Sequence, residues 1–255
     1  MTTKHFLNLR DLSNQDILNI LDRAIERKSQ KQKEKTLAGL KLGLIFEKPS
    51  TRTRISFESG VLNLGGNAIF MSSTDLQLSR GEPVSDTAKV ASSMLDVIAL
   101  RVDKHETLEM FASNSSVPVI NALSDLSHPC QILADLMTFK ENSANELEKV
   151  CWIGDGNNVC NSYVEASKIL DFELSIYCPK EYSPDPSFLN YAKENSSFAN
   201  SREEAAKGAD IITTDVWVSM GDEKTKEKAF QGYFVDTGLI ENTGKESIFL
   251  HCLPA

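Results

Sequence analysis

The stretch from residue 40 to residue 60 constrains the fold most, because it joins a short apolar run to a helical pattern. Leu42 to Phe46 have the length and composition of a buried strand, and Pro49 ends the extended run. Ser50 and Thr51 are residue types that cap helices, and apolar residues then resume at helical spacing. The stretch therefore predicts a strand, a polar loop and a helix in immediate succession.

The loop between this strand and helix has the features of an anion site. Its sequence, Ser50-Thr-Arg-Thr-Arg54, brings together helix N-terminal amides, the positive end of the helix dipole and two guanidinium groups. A phosphate group fits such a site, although the Walker P-loop pattern is absent. From these residues alone, a plain helix cap with solvated arginines is an equally good interpretation.

Composition excludes several classes of protein. The 255 residues are enough for two modest α/β domains, each with its own core. The net charge of −9 argues against nucleic acid as the main partner, because phosphate contacts need a basic surface. No apolar run approaches the length of a membrane helix, and the N-terminus does not read as a signal peptide. The five cysteines are odd in number and lack Cys-x2-Cys zinc spacing, so we expect reduced thiols and a cytoplasmic chain.

Short apolar runs alternate with helical patterns along the rest of the chain. Further strands are predicted at Asn67–Met71, Asp96–Leu100, Val117–Ile120, Lys149–Ile153, Leu174–Cys178, Asp210–Thr214 and Ser247–Leu250. This alternation predicts an α/β protein with two domains, each a parallel sheet with helices on both faces. We place the boundary near residue 140, which gives domains 1–140 and 141–255.

Polar residues follow several of these strands. Arg101 ends one strand, and His128 and Gln131 flank the start of a helix that Pro129 can begin. Ligands bind at the carboxyl ends of strands in parallel sheets, so these side chains can meet Ser50 in space. For a lone histidine, a capping or surface role is the simpler alternative.

The segment Gly154-Asp-Gly-Asn-Asn158 is similar to the first turn of a dinucleotide-binding unit. It lacks the third glycine, and no acidic residue ends the next strand, so a nicotinamide-dependent enzyme is the weaker alternative. The two asparagines would instead present amides to the charged ends of an amino acid. Asp215, at the end of a later strand, is well placed to bind an ammonium group, although a turn or cap role is possible for it too.

Six motifs stand in one order along the chain. They are Ser50-Thr-Arg-Thr-Arg54, Arg101, His128-Pro-Cys-Gln131, Asp155-Gly-Asn-Asn158, Asp215-x3-Ser219-Met220-Gly221 and His251-Cys-Leu-Pro254. With these motifs the whole chain resembles the aspartate/ornithine carbamoyltransferase family. The first and third motifs are common to the family, and the last two are marks of its ornithine-type branch.

The resemblance implies an enzyme that transfers the carbamoyl group of carbamoyl phosphate to the side-chain amine of L-ornithine, giving L-citrulline and phosphate. The pathway would be arginine biosynthesis or arginine catabolism, and neither a cofactor nor a metal is expected. The first domain would bind carbamoyl phosphate and the second ornithine. The resemblance also implies a homotrimer, in which Gln77 reaches the phosphate of a neighbouring subunit. Putrescine or an acylated ornithine stays open as the acceptor.

The resemblance also implies a role for each motif. Carbamoyl phosphate would be bound by Ser50, Thr51, Arg52, Thr53, Gln77, Arg101, His128, Gln131, Cys252 and Leu253. Ornithine would be bound by Asn158, Asp215, Ser219 and Met220. The residues expected to carry catalysis are Arg52, Arg101, His128, Asp215 and Cys252. Cys252 is expected to position substrate, because no Cys-His-Asn arrangement for covalent catalysis is recognisable.

The resemblance implies one further segment. Members of the family continue past His-Cys-Leu-Pro into a stretch with another active-site arginine and a terminal helix, whereas this sequence ends at Ala255. We therefore keep a second hypothesis beside the enzyme, a binding protein that retains the carbamoyl phosphate site without turnover.

Overall fold

The computed structural model describes residues 3–30, 34–72, 76, 81–217 and 224–253. Gln77, Ser219 and Met220, three of the predicted site residues, lie outside these ranges. The chain divides into two compact units. The first contains the residues up to Leu12 and those from Leu18 to Cys130, and the second contains Ser13–Ile17 and the residues from Gln131 onward.

The first unit is built on a four-stranded parallel sheet. Its strands are β1 (Lys41–Phe46), β2 (Asn67–Ser72), β3 (Val97–Arg101) and β4 (Val119–Leu123), in the order β2-β1-β3-β4. The helices up to this point of the chain are α1 (Asn14–Ser29), α2 (Thr51–Asn63), α3 (Val84–Met94) and α4 (His105–Asn114). A short 3-10 helix, Leu9–Asp11, precedes them.

Alternation along β1 explains why helices cover both faces of this sheet. Leu44 and Phe46 belong to a buried cluster with Val61 of α2 on one face. Ile45, which points the other way, belongs to a second cluster that includes residues of α3 and α4. The strand is therefore buried on both sides, as its continuous apolar sequence predicts.

The second unit is built on a five-stranded parallel sheet. Its strands are β5 (Lys149–Ile153), β6 (Glu173–Tyr177), β7 (Ser196–Phe198), β8 (Ile211–Thr214) and β9 (Ile248–His251), in the order β7-β6-β5-β8-β9. The helices from here on are α5 (Pro129–Asn142), α6 (Asn158–Leu170), α7 (Pro186–Tyr191), α8 (Arg202–Ala206) and α9 (Thr237–Glu241). Two 3-10 helices, Lys180–Tyr182 and Lys224–Phe230, complete the described elements.

Two layers of helices cover this second sheet as well. Trp152 of β5 and Tyr163 of α6 are fully buried, with ring centroids 6.0 Å apart. On the opposite face, Cys151 belongs to a cluster with residues of α8 and α9. The predicted fold class, two α/β domains with parallel sheets and helices on both faces, is confirmed.

The element boundaries agree with the sequence pattern to within a few residues. The strand Lys149–Ile153 and the helix Val84–Met94 are found as predicted. The helix predicted from Ser162 begins four residues earlier, at Asn158, and the three-residue edge strand β7 was not predicted. The boundary placed near residue 140 falls in the last turn of α5 and stays a prediction. Within the described ranges, no helix is both long and apolar enough to cross a membrane.

Candidate active site

The anion-site loop of the first unit has the local structure that its sequence predicts. Helix α2 begins at Thr51, and Ser50 is its N-cap. The Ser50 side chain accepts a hydrogen bond from the backbone N–H of Thr53, and its hydroxyl donates to the Thr53 hydroxyl over 2.9 Å. The first turn of this 13-residue helix, with its partial positive charge, therefore follows strand β1 after a short loop, residues 47–50.

Arg101 lies beside the end of this strand. It is the last residue of β3, in register with Phe46, and its carbonyl accepts a hydrogen bond from the backbone of Glu47. Burial lowers the pKa of the Arg101 guanidinium, and the charge of Arg52 lowers it further. Its Nε atom is buried and, among the described residues, has no hydrogen-bond partner. The positive charges of Arg52 and Arg101 thus lie close enough to repel each other, and the Nε–H group of Arg101 lacks an acceptor within the described part of the chain. An anion bound beside them would relieve the repulsion and accept this hydrogen bond.

His128 belongs to the same electrostatic group. Its pKa is lowered from 6.5 to about 4, first by burial and then by the charge of Arg101. The imidazole is therefore neutral at physiological pH and can donate a hydrogen bond without adding a third positive charge. It precedes Pro129, the first residue of α5, as predicted.

Arg54, the second arginine of the loop, contacts a carboxylate and an aromatic ring. The Nε atom of Arg54 lies 2.9 Å from Glu58 Oε1, one helical turn further on, and its guanidinium lies 3.7 Å from the ring centroid of Phe70. Arg54 thus packs along the outside of α2, whereas Arg52 lies close enough to Arg101 to affect its pKa. Arg80, in the polar stretch between β2 and α3, lies outside the described residues.

In the second unit, sheet order places three loops side by side. Strands β5, β8 and β9 are neighbours, so the residues after their carboxyl ends meet. Asp215, just after β8, accepts hydrogen bonds from Asn157 Nδ2 over 2.7 Å, from Cys252 Sγ over 2.8 Å and from the backbone N–H of Val216 over 2.8 Å. A carboxylate held by three donors has a fixed position and keeps its charge available for a cation.

Cys252 is a protonated thiol in this arrangement. Burial raises the pKa of the thiol well above its ordinary range, and the adjacent charge of Asp215 raises it further. Asp215, His251 and Cys252 form the group of possible metal ligands in the described part of the chain, with ligand atoms within 4.8 Å of one another. A metal would have to displace the proton that Cys252 donates to Asp215.

The Gly154–Asn157 loop is occupied by protein contacts. The side-chain oxygen Oδ1 of Asn157 caps α6 by accepting hydrogen bonds from the backbone N–H groups of Val159 and Cys160, while its side-chain nitrogen Nδ2 donates to Asp215. The backbone N–H of Gly156 donates to Tyr182, and a Cβ added at Gly156 would lie 2.3 Å from a backbone atom of Pro184. The glycine is therefore required by this close approach of the chain, which leaves no pyrophosphate cradle of the Rossmann type.

The remaining predicted residues are placed as follows. Asn158 is the first residue of α6, beside Asn157. Gln131 lies on the first turn of α5 and donates to Asp135 over 2.9 Å. Leu253 follows Cys252 and is exposed. The role of every one of these residues stays a prediction.

The structure gives Asn157 a partner different from the amino acid expected for it, and it adds residues that sequence reasoning missed. Asn157 orients Asp215, and Asp135 with Tyr163 supports Gln131. A cap residue before a helix was a usable signal for Asn157. The spacing of Gln131 and Asp135, one helical turn apart, was the only sign of the second group.

Two family models match the chain and together cover most of it. Residues 4–141 match "Aspartate/ornithine carbamoyltransferase, carbamoyl-P binding domain". Residues 147–255 match "Aspartate/ornithine carbamoyltransferase, Asp/Orn binding domain". Each of the two sheets lies within one match.

Similar proteins agree with these models. The ornithine carbamoyltransferase of Acinetobacter baylyi is 51% identical, over 100% of this chain and 86% of the relative. The crystal structure of the anabolic ornithine carbamoyltransferase of Campylobacter jejuni aligns with a TM-score of 0.93 at 45% identity, over 99% of this chain and 87% of that one. The ornithine carbamoyltransferase of Pyrococcus furiosus aligns with a TM-score of 0.92 at 39% identity, over 100% and 86%. The chain therefore belongs to the aspartate/ornithine carbamoyltransferase family of enzymes, on its ornithine carbamoyltransferase branch.

Proposed function

We propose that this chain transfers the carbamoyl group of carbamoyl phosphate to the side-chain amine of L-ornithine, giving L-citrulline and phosphate. The observation that carries the proposal is the match along the whole chain, at 51% identity, to an enzyme named for this reaction. The first domain would bind carbamoyl phosphate and the second ornithine, which is supported by the descriptions of the two family models.

The phosphate end of the donor would bind at the capped start of α2. Arg52 and Arg101 place two guanidinium groups close enough to repel each other, and a phosphate dianion relieves that repulsion. Ser50, Thr51 and Thr53 add hydroxyl and backbone donors on the first helical turn. These interactions strengthen as negative charge moves onto the departing phosphate, so they favour the transition state over the bound substrate.

The carbonyl group of the donor would be polarised by Arg101 and His128. When the amine attacks the carbonyl carbon, negative charge develops on the carbonyl oxygen and needs hydrogen-bond donors already in place. The neutral imidazole of His128 serves this role because its pKa, about 4, keeps it uncharged at neutral pH. Gln131, on the first turn of α5, would contact the carbamoyl nitrogen.

The acceptor amine would be bound through Asp215. Its carboxylate, fixed by Asn157 and Cys252, provides a negative charge at the carboxyl end of β8. An ammonium group of ornithine is a suitable partner for it, and Asn158, Ser219 and Met220 would complete the amino-acid site. The attacking nitrogen must lose a proton before it reacts, and the carboxylate is the adjacent base.

Cys252 would position the amine and would not attack the donor. A thiolate is the reactive form of cysteine, and here burial and the charge of Asp215 keep the thiol protonated. Carbamoyl transfer has no need of a covalent intermediate, because bringing the two substrates together removes much of the entropic part of the barrier.

A homotrimer is supported by the surface of the first unit. Two separate sets of exposed apolar side chains occur there: Ile55 and Leu62, one face of α2, and Val90, Met94 and Met110 on the adjacent helices α3 and α4. A closed ring uses two different surfaces of each subunit, one against each neighbour. Gln77 would then reach the phosphate of a neighbouring subunit.

Use of the reaction in arginine biosynthesis is favoured by the name of the Campylobacter jejuni enzyme, which is described as anabolic. A cytoplasmic location is supported by the five free thiols, none of which is paired in a disulfide. Deletion of the gene tests the pathway. A requirement for citrulline or arginine is the expected result, and growth on ornithine alone would contradict it.

The direct test of the activity is citrulline formation by the purified chain from carbamoyl phosphate and L-ornithine. Aspartate, putrescine and N-acetylornithine serve as parallel acceptors under the same conditions. We expect turnover with ornithine and little with the other three, because Asp215 and the Ser219–Met220 motif would select a free amino acid with a second amine. Turnover with putrescine or N-acetylornithine at the same rate would contradict the proposed specificity for ornithine.

If no product forms with any acceptor, a binding protein without turnover becomes the alternative hypothesis. Titration of carbamoyl phosphate into the chain by calorimetry separates the two cases. Binding without product would favour the non-catalytic hypothesis, and absence of both would reject the proposed donor.

A further inference from the structure

Asp135 is a buried carboxylate that the proposed reaction does not use. It lies on α5 with 9% of its surface exposed. Oδ1 accepts a hydrogen bond from Gln131 Nε2 over 2.9 Å, and Oδ2 accepts one from the Tyr163 hydroxyl over 2.8 Å. A buried carboxylate costs free energy that an apolar side chain of similar size would not, so its presence calls for an explanation.

Burial shifts the pKa of this carboxyl group. It raises the pKa of Asp135 to about 6, although the hydrogen bonds from Gln131 and Tyr163 oppose the shift. At neutral pH the group is therefore ionised in the main, and it then acts only as a hydrogen-bond acceptor. Both of its partners must turn a donor toward it.

Tyr163 is the second donor to Asp135. The ring is fully buried on α6, and burial raises the pKa of its hydroxyl, which therefore keeps its proton, while the side chain of Thr213 on β8 acts in the opposite direction. The phenolic hydrogen is thus the one that points to Asp135. Hydrogen bonds thus connect Tyr163 on α6 to Asp135, and Asp135 to Gln131 on the first turn of α5.

Asp135 fixes the orientation of the Gln131 side-chain amide. The two ends of a glutamine amide have nearly the same shape, and only the hydrogen-bond partners decide which end faces which way. Because Asp135 takes the NH2 group, the carbonyl oxygen Oε1 is the end of Gln131 left for a ligand. Gln131 therefore presents an acceptor.

We infer that Asp135 is a positioning residue that holds the Gln131 amide as an acceptor, and thereby selects an acyl phosphate whose carbonyl carbon bears an N–H donor. This inference rests on the proposed function, in which Gln131 meets the carbamoyl nitrogen. Carbamoyl phosphate donates to Oε1 from its NH2 group. Acetyl phosphate carries a methyl group at the same place and has no hydrogen to donate.

The substitution Asp135→Asn should reverse the orientation of the Gln131 amide while it keeps the size of the side chain at position 135. The Tyr163 hydrogen still needs an acceptor, so the oxygen of Asn turns to Tyr163 and its NH2 group turns to Gln131. The Gln131 amide then turns over and presents its own NH2 group to the donor. We expect the KM for carbamoyl phosphate to rise about tenfold, while the inhibition constant of acetyl phosphate changes less than about twofold and the KM for ornithine is unchanged.

Tyr163→Phe supplies the control and the rescue. Alone, it leaves Asp135 and Gln131 bonded and should change the preference for carbamoyl phosphate little. Combined with Asp135→Asn, it frees the new Asn to turn its oxygen toward Gln131, so the double variant should recover most of the lost affinity. A merely structural role would make the two substitutions additive instead.

The outcomes are distinct from a failure of the proposed function. Absence of citrulline formation by the unsubstituted chain rejects the function. The inference is then tested by calorimetry, which compares the binding of carbamoyl phosphate and acetyl phosphate by the unsubstituted chain and by Asp135→Asn. Equal loss of affinity for carbamoyl phosphate and acetyl phosphate in Asp135→Asn, or no rescue by Tyr163→Phe, overturns the inference. Should Asp135→Asn fail to fold, Gln131→Met tests the same acceptor, and an unchanged KM for carbamoyl phosphate in that variant also overturns it.

Discussion

The two arginines of the anion-site loop have the same side chain and different surroundings. Arg52 lies near Arg101, while Arg54 is held by Glu58 and the ring of Phe70. Arg52→Ala should therefore reduce kcat about a hundredfold or more, because it removes the proposed hydrogen-bond donor to the departing phosphate. The fold should stay intact, since relief of the repulsion with Arg101 compensates for lost contacts.

Arg54→Ala is the matched control for this prediction. It removes an exposed ion pair and a cation–π contact, which together contribute about 1 kcal/mol or less to stability. We expect most of the activity to remain. Steady-state kinetics on both variants, with circular dichroism to check folding, decides the matter, and equal loss of activity in the two would reject the division of roles.

Asp215 is proposed to bind ornithine and not carbamoyl phosphate. Asp215→Asn keeps the shape of the side chain and removes its charge, so the KM for ornithine should rise about ten- to a hundredfold. Binding of carbamoyl phosphate, which involves the first unit, should change little. Calorimetric titration of each substrate alone measures this, and equal weakening of both would refute the assignment of ornithine to Asp215.

His128 should make stability depend on pH. Its pKa is lowered from 6.5 to about 4 in the folded chain, so between these values the unfolded chain binds a proton that the folded chain excludes. The free energy of unfolding should therefore fall as pH drops from about 6.5 to about 4. Thermal unfolding of His128→Gln over this range should show a shallower decline than the unsubstituted chain, and parallel curves would show that the imidazole is not shielded as described.

Some residue-level features could be predicted from sequence and others could not. The cap at Ser50 and the polar strand end at Arg101 follow from local pattern, because cap chemistry and strand length act over a few residues. The different partners of Arg52 and Arg54 could not be predicted from a motif that repeats the same residue type. The contact of Tyr163 with Asp135 joins residues 28 positions apart, and only folding reveals it.

At the scale of elements, the strands were easier to locate than their edges. Central strands such as β5 are continuous apolar runs, and burial on both faces makes the sequence signal strong. Strand β7 has three residues, Ser196–Phe198, and lies at the edge of its sheet, where neither length nor burial leaves a pattern. Helix α6 begins earlier than its apolar spacing predicts because Asn157 caps it.

The loop between β5 and α6 provides a test at this scale. In Gly156→Ala, the new Cβ would lie 2.3 Å from the backbone nitrogen of Pro184 and 2.5 Å from the carbonyl oxygen of Tyr182. Backbone must move to admit it, at a cost of about 1–3 kcal/mol, and the loop carries Asn157, which holds Asp215. We expect a lower unfolding temperature together with a raised KM for ornithine.

Gly60→Ala is the control for the loop substitution. Gly60 lies inside α2, and a Cβ there meets nothing within 4 Å. Alanine favours a helix over glycine by about 0.5–1 kcal/mol, so this variant should unfold at the same or a slightly higher temperature with unchanged kinetics. An unchanged KM for ornithine in Gly156→Ala would mean that Asp215 does not depend on the loop.

At the scale of the whole molecule, the proposed binding of the two substrates is divided between two units, each with a buried core of its own. The described residues proposed to bind the phosphate end of the donor, Ser50 to Thr53 and Arg101, belong to the first unit, and those proposed to bind ornithine, Asn158 and Asp215, belong to the second. Alternating strands and helices predict two such sheets. The apolar side chains left exposed on α2, α3 and α4 could not be predicted, because sequence periodicity does not show what covers a helix face.

These exposed side chains lead to a prediction about assembly. The mass in solution should be three times the 28.2 kDa of the chain, and Met94→Glu, which places a charge on a side chain now 59% exposed on α3, should yield monomers. Activity should fall with the trimer, because Gln77 would no longer reach a neighbouring phosphate. Phe198→Glu is the matched control, since Phe198 is 51% exposed on β7 of the second unit and should leave the trimer intact. Light scattering after gel filtration measures both variants, and a trimer that survives Met94→Glu with full activity would exclude this face of α3 from the interface.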